Sequence, residues 1–476
     1  MSKVTKGVAW SAVERFSTQG VGFFISIILA RLISPESFGL VVMIQVFISF
    51  SQVFVDSGFS NALMQKKDRT DVDFQTVFIF NLAISCFLYL LLFIASPFIA
   101  EFYNKPQLTI LTRVVALNLI FNSLSIVQRT RLSIALDFKT QSKASLISVM
   151  LSGLLGLYLA YDGYEVWALV SQTLSSSIVN TILLMFYSKW TPQFVFSKSS
   201  FTQLFNFGSK LLASNILTSL YLNIYNLTIG KFYSSANLAY YNKAFTLSQF
   251  PSVNIDGIIQ RIVYPVLCEL QDNKDSLIKQ YFKFLHASNV LVFGLMTLLC
   301  VLSKPLIYVL LTDKWLPCAE YLSIYCINFS FFCWLSQSGS LVLAIGQSGA
   351  MLKASIYKRI VTFIILIITI PMGIRIICLG VCLGTFIELL VNIYYCQKYV
   401  GVKMIEQCRK MFLPFVNCMI TSVVILIVLY RFDNPYIQLF LGGFIGIATY
   451  IVLIFAFKFD EWQLIRRFIT KLILRR

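Results

Sequence analysis

The sequence predicts an all-α integral membrane protein: about fourteen transmembrane helices in two six-helix lobes, with two further helices at the C-terminus. Three observations predict it: the composition, the length of the apolar runs and the placement of the bases. Apolar residues make up 58% of the 476 and charged residues 13%, against about half and about a quarter in a soluble globular chain. A water-soluble fold of this size could not hide so much apolar side chain. In a bilayer each backbone polar group needs an internal partner, which leaves helices or closed barrels. The apolar runs, such as Val77–Phe98, Phe412–Leu429 and Leu439–Phe457, approach the ~20 residues a helix needs to cross ~30 Å of hydrocarbon. Barrel strands would be half as long and alternating.

The spans fall near 9–32, 38–60, 76–98, 110–128, 144–161, 164–187, 204–230, 237–260, 284–311, 319–343, 354–373, 376–397, 411–430 and 436–457. The first carries Glu14 and Arg15 and lacks a small-residue cleavage site, so it reads as a span and not as a signal peptide. The connections are short and polar, the largest near 61–75, 188–203, 261–283 and 398–410. Glu269–Lys283 reads as a short surface helix leading into the ninth span.

The net charge is +18. With bases near span ends counted in the adjoining connection, one set of connections holds 28 bases and the alternate set nine, and only Arg15 and Lys210 are counted inside spans. That bias predicts both termini on the cytoplasmic side. It also tests the span count, because one missed helix would move every later loop to the wrong side. Position explains the charge, and no nucleic-acid partner is expected. The basic tail from Arg466 to Arg476 could also meet anionic lipid head groups. Ten of the eleven cysteines follow residue 260 and most lie in apolar runs; with one histidine, His286, no metal-ligand spacing arises. No cofactor or metal is expected.

A repeat of about 200 residues organises the chain. Ala30–Ser34 precedes Gly230–Ser234 by 200, and Phe50, Val53 and Asp56 match Phe250, Val253 and Asp256 at the same offset. Steps of three place each trio along one side of a helix. The expected organisation is a six-helix lobe over 1–200, a second over 201–400, and two helices with a basic tail over 401–476. Lobes of six spans keep one orientation, and a substrate site would lie between them.

No catalytic constellation appears: no GxSxG, no P-loop, no paired metal-binding acids and no histidine dyad. Ionisable residues inside spans are costly and therefore functional candidates. Arg15 and Lys210, near the cytoplasmic ends of repeat-related spans one and seven, could hold an anionic head group, Arg as a planar fork and Lys as a point charge. Arg113 and Arg129 edge the fourth span and could flank a cavity. Glu14, Glu388, Asp56 and Asp256 are candidates to carry a coupling ion. Each also has a structural reading, as an interhelical pair, a cap or a snorkel to the head groups. Pro251 could bend span eight. Gly380–x–x–x–Gly384 and Gly442–x–x–x–Gly446 allow close helix approach.

Two segments add a resemblance. Leu29–Leu40 (LARLISPESFGL) and Asp56–Asp68 (DSGFSNALMQKKD) resemble the first hairpin, and the stretch after it, of the polysaccharide transport family, the Wzx-type lipid-linked oligosaccharide flippases of the multidrug/oligosaccharidyl-lipid/polysaccharide exporter superfamily. Gly163–Val170, Ala239–Ala244 and Val263–Gln271 fit in order, closest to the colanic-acid-exporter-like branch. The resemblance implies a bacterial cytoplasmic-membrane carrier working by alternating access. Its cargo would be an undecaprenyl-diphosphate-linked oligosaccharide, moved to the outer leaflet for O-antigen, capsule or exopolysaccharide synthesis. It implies a basic cavity for the diphosphate, and membrane lipids and polysaccharide polymerase machinery as partners. Two other readings stay open: a drug or cation antiporter of the same superfamily, and a membrane glycosyltransferase or polymerase. The first would keep acids in an otherwise neutral or negative cavity. The second would call for a large non-cytoplasmic loop or an acid cluster.

Overall fold

The computed structural model describes residues 3–56 and 58–457, with side chains from Ser17 onward. The described residues form helices joined by short turns. In chain order these are α1 (Lys3–Leu32), α2 (Pro35–Asp56), α3 (Phe59–Gln65), α4 (Asp71–Tyr103), α5 (Leu108–Val115), α6 (Leu117–Ile134), α7 (Phe138–Tyr161), α8 (Val166–Ser188) and α9 (Lys198–Phe232). Then follow α10 (Ser235–Glu269), α11 (Lys274–Val301), α12 (Ser303–Leu311), α13 (Leu316–Ser330), α14 (Phe332–Ala344), α15 (Ser348–Thr369), α16 (Ile374–Tyr395), α17 (Met404–Arg431) and α18 (Pro435–Ala456).

Each of the fourteen expected spans falls on helix. Eleven helical stretches among the described residues are long and apolar enough to cross a membrane, and Ser17–Leu32, the part of α1 whose side chains are described, is apolar. Two spans come from the polar α9 and α10, of 35 residues each, about 50 Å at 1.5 Å per residue. Large apolar side chains face outward along the helices, among them Phe186, Phe440 and Phe444. In water such surfaces would be a liability; facing hydrocarbon they are at home.

The fourth span is interrupted at Ala116, between α5 and α6. Its counterpart six spans later, the tenth, is interrupted at Phe331, between α13 and α14. One expectation is corrected. Residues 269–283 do not form a separate surface helix. After a turn, Asn273 accepts a hydrogen bond from the Ser276 amide at 3.1 Å and caps α11. That helix then runs unbroken to Val301, with Leu277 and Tyr281 fully buried. Their apolar bulk finds a core, and that outweighs the polar residues between them.

The chain divides into two compact units, Met1–Ala239 and Tyr240–Arg476. In the first, α7 packs on α1 and α8, while α2 touches α4, α6, α8 and α9. The segments that carry the resemblance meet there. Glu165, in the turn before α8, accepts hydrogen bonds from Ser37 Oγ at 2.6 Å and Ser34 Oγ at 2.7 Å. A carboxylate therefore sits at the positive N-terminal end of α2. Gly39 lies directly against the Ser235 backbone, and a side chain there would overlap the Ser235 carbonyl.

In the second unit α11 packs on α13, α14 and α17, and α15 pairs with α16. Its core holds a buried polar knot. Gln407 Oε1 accepts from Tyr281 Oη at 2.9 Å and from Trp334 Nε1 at 3.2 Å, and Ser338 bonds Tyr281 at 3.0 Å. Gly380 and Gly384 admit Thr369 and Thr362 of α15, and Gly446 admits Ile425 of α17, as small-residue spacing requires.

Candidate functional site

Three polar nodes lie within otherwise apolar helices. The first belongs to the first unit. Asn122 of α6 donates to Gln52 Oε1 of α2 at 3.3 Å, and Gln52 Nε2 donates to Asp56 Oδ1 at 3.3 Å. The Arg129 guanidinium acts electrostatically on the same carboxylate. Asp56 and Arg129 are both exposed. Two residues after Asp56, Gly58 packs against the Gly208 carbonyl and Leu211 of α9. That contact brings the Lys210 turn of α9 to the same end of the unit, where the Lys210 side chain is exposed. Of the residues singled out in the sequence, Asp56 and Arg129 are brought together, and Lys210 lies on α9 at the same end of the unit.

The second node belongs to the second unit and repeats the pattern. Ser336 Oγ of α14 donates to Asp256 Oδ2 of α10 at 2.8 Å. Gln260 Nε2 donates to Ser336 at 2.9 Å, and Ser340 donates to Gln260 Oε1 at 2.9 Å. Position 252, the counterpart of 52, also reaches across: Ser252 Oγ donates to the Phe329 carbonyl at 3.0 Å. In each unit the aspartate helix is therefore tied to the interrupted span. Asp256 is buried, unlike Asp56.

The third node is one the sequence reading missed. Bases at 358 and 359 were counted with the cytoplasmic connections. The structure instead places Lys358 inside α15, buried, with its Nζ donating to Asn392 Oδ1 of α16 at 3.0 Å. Asn392 in turn donates to the Leu335 carbonyl at 3.1 Å. Lys358 and Arg359 both act electrostatically on Glu388, one turn before Asn392. A signal was available: 358 and 388 each lie fifteen positions from Gly373, so an antiparallel hairpin sets them at one depth. Lys243, counted with the outer connections, likewise lies within α10, its Nζ 5.8 Å from the centre of the Trp315 ring. Arg15 and Lys210 are not the only bases inside helices.

Arg113 is engaged within the first unit. Its Nε donates to Ser96 Oγ at 2.9 Å, and its guanidinium stacks 4.2 Å over the Phe93 ring. Ser96 Oγ donates onward to the Phe93 carbonyl at 2.8 Å, so Arg113 braces α5 against α4. Glu14 and Arg15 fall on α1, and their side chains lie outside the described residues. Among the described residues no cluster of three or more His, Cys, Asp or Glu could hold a metal ion.

Apolar helices of bilayer length carrying internal polar nodes form a multi-pass membrane fold. It matches the structure of the lipid II flippase MurJ in its inward closed conformation, with a TM-score of 0.73 and 18% identity, over 96% of this chain and 99% of that one. The chain belongs to the polysaccharide biosynthesis protein family, whose model matches residues 28–320. It is 29% identical to the teichuronic acid biosynthesis protein TuaB of Bacillus subtilis, over 63% of this chain and 62% of that protein. It is 23% identical to the lipopolysaccharide biosynthesis protein WzxC of Escherichia coli, over 82% and 79% respectively. The resemblance read from the hairpin motifs holds.

Proposed function

We propose that this protein is a flippase. It moves undecaprenyl-diphosphate-linked oligosaccharide units from the cytoplasmic to the outer leaflet by alternating access, for O-antigen, capsule or exopolysaccharide synthesis. The observation that carries this reading is the combination of a MurJ-like fold with membership of a polysaccharide biosynthesis family. Arg129 and Lys210, exposed at one end of the first unit, suit the diphosphate, and Arg15 joins them on sequence grounds. Amides such as Asn122 and Gln52 suit sugar hydroxyls. Arg113, committed to Ser96 and Phe93, positions α5. The two repeats each act as one lobe, both termini face the cytoplasm, and the protein sits in the bacterial inner membrane beside polysaccharide polymerase machinery.

Deleting the gene and measuring lipid-linked units tests the reading. The expected outcome is accumulation of cytoplasm-facing units with loss of surface glycan, both reversed by a plasmid copy. Unchanged surface glycan without accumulation overturns it. Export of organic cations from the same cells would support the antiporter reading instead.

A further inference from the structure

Asp256 and Glu388 are the two acids singled out in the second unit, and their surroundings differ in kind. Glu388 has internal bases: Lys358, buried and bonded to Asn392, and Arg359. Asp256 is buried at 7% exposure, and the groups acting on it are Ser336, Gln260 and Cys333, with no base among them. Its Oδ1 is buried and, among the described residues, without a hydrogen-bond partner. An ionised carboxylate so placed accepts hydrogen bonds but lacks the counter-charge that burial of a charge demands.

The direction of the neighbouring hydrogen bonds argues against a metal ion as what neutralises it. Gln260 donates to Ser336 and Ser336 donates to Asp256, so the neighbours present hydrogens to the carboxyl. A bound sodium ion would need several oxygen lone pairs turned inward, as hard cations do. The helix geometry gives the site leverage. Asp256 lies between Pro251 and Pro265, both inside α10. Each proline removes a backbone donor and weakens the helix at its own turn. The segment between them is held to α14 through the Asp256–Ser336 bond and the Gln260 bridge.

We infer that Asp256 carries an exchangeable proton on Oδ1, and that taking it up or losing it alters the hold of α14 on the proline-bounded segment of α10. Glu388, neutralised from within by Lys358, does not exchange one. Only in calling this the coupling proton of a carrier does the inference rest on the flippase reading.

Infrared spectroscopy of the purified full-length protein in lipid nanodiscs, in sodium-free buffer at neutral pH, tests it through the carbonyl stretch of a protonated carboxyl. The expected result is one such band that bleaches as the pH rises, is absent in Asp256→Asn and persists in Glu388→Gln. Ser336→Ala, which keeps the carboxyl and removes its donor, should shift the band without abolishing it. This keeps the test decisive if Asp256→Asn fails to fold. A band that survives in Asp256→Asn or moves with Glu388→Gln overturns the inference. So does a band lost on adding sodium at constant pH, which would make the site a sodium site. None of these readouts requires transport. A failed spectrum is therefore separable from a failed deletion phenotype.

Discussion

Trp190 Nε1 donates a hydrogen bond to Asp71 Oδ1 at 3.0 Å, and the same oxygen accepts from Arg131 Nη1 at 3.0 Å. Trp190 lies in the stretch between α8 and α9 that links the two sequence repeats, Asp71 opens α4, and Arg131 belongs to α6. The Gln193 amide donates to Gln75 Oε1 at 2.6 Å and the Ser197 amide to Thr76 Oγ1 at 3.1 Å. The link is therefore fastened along the first turns of α4. Trp190→Phe keeps the ring against Phe78 and removes the donor. We expect a loss of about 1 kcal/mol, the worth of one such bond, seen as a lower unfolding midpoint and faster proteolysis within 190–197. Arg131→Ala should cost little through its ion pair, because both side chains are partly exposed. Intact protease resistance in Trp190→Phe would show that the apolar contact alone fastens the link.

Gly39→Ala should be destabilising out of proportion to one methyl group. The new carbon would meet the Ser235 carbonyl, and backbone cannot swing aside as a side chain does. Overpacking of this kind costs about 1–3 kcal/mol. Lower protein level and melting temperature are expected for Gly39→Ala, whereas Gly20→Ala, which meets nothing within 4 Å, should leave both unchanged.

Lys358→Met leaves Glu388 and Asn392 without the ammonium that serves them. Lys358 is buried and Glu388 half-buried, so the main loss is the charged hydrogen bond to Asn392, about 1.5–3 kcal/mol. The double variant Lys358→Met with Glu388→Gln removes the opposing charge and should recover part of the loss. Thermal stability of the two single variants and the double variant measures the coupling. Strict additivity would mean that the two groups do not interact.

Lys210→Ala and Arg129→Ala should lower export of lipid-linked units while protein level and melting temperature hold, since both side chains are exposed. Arg113→Ala should lower stability as well, because it removes the brace to Ser96 and Phe93. Full export by Lys210→Ala and Arg129→Ala at normal protein level would remove both from the diphosphate site.

The helices were legible because their signal is local. A run of apolar residues of bilayer length reads the same whatever its neighbours, and even α9 and α10, too polar for a plain hydropathy test, were placed by charge alternation and repeat. The repeated aspartates at 56 and 256 were legible through their common offset. Lys358 was misplaced because charge counting assigns a base near a span end to the loop, although a buried partner can draw it inward. Arg113 was taken for a cavity residue because its partners, Phe93 and Ser96, become neighbours only when α4 folds back on α5.

By itself, then, the sequence determined the solvent of this protein, its all-α class and the family to which it belongs. These follow from composition and short-range pattern, which the bilayer reads directly. Only the tertiary structure decided which of the interior charges are matched. Arg129 acts electrostatically on Asp56 and Lys358 on Glu388, whereas among the described residues Asp256 meets donors but no base. A charge's cost depends on what lies a few ångströms away across a helix contact, and no spacing along one chain fixes that.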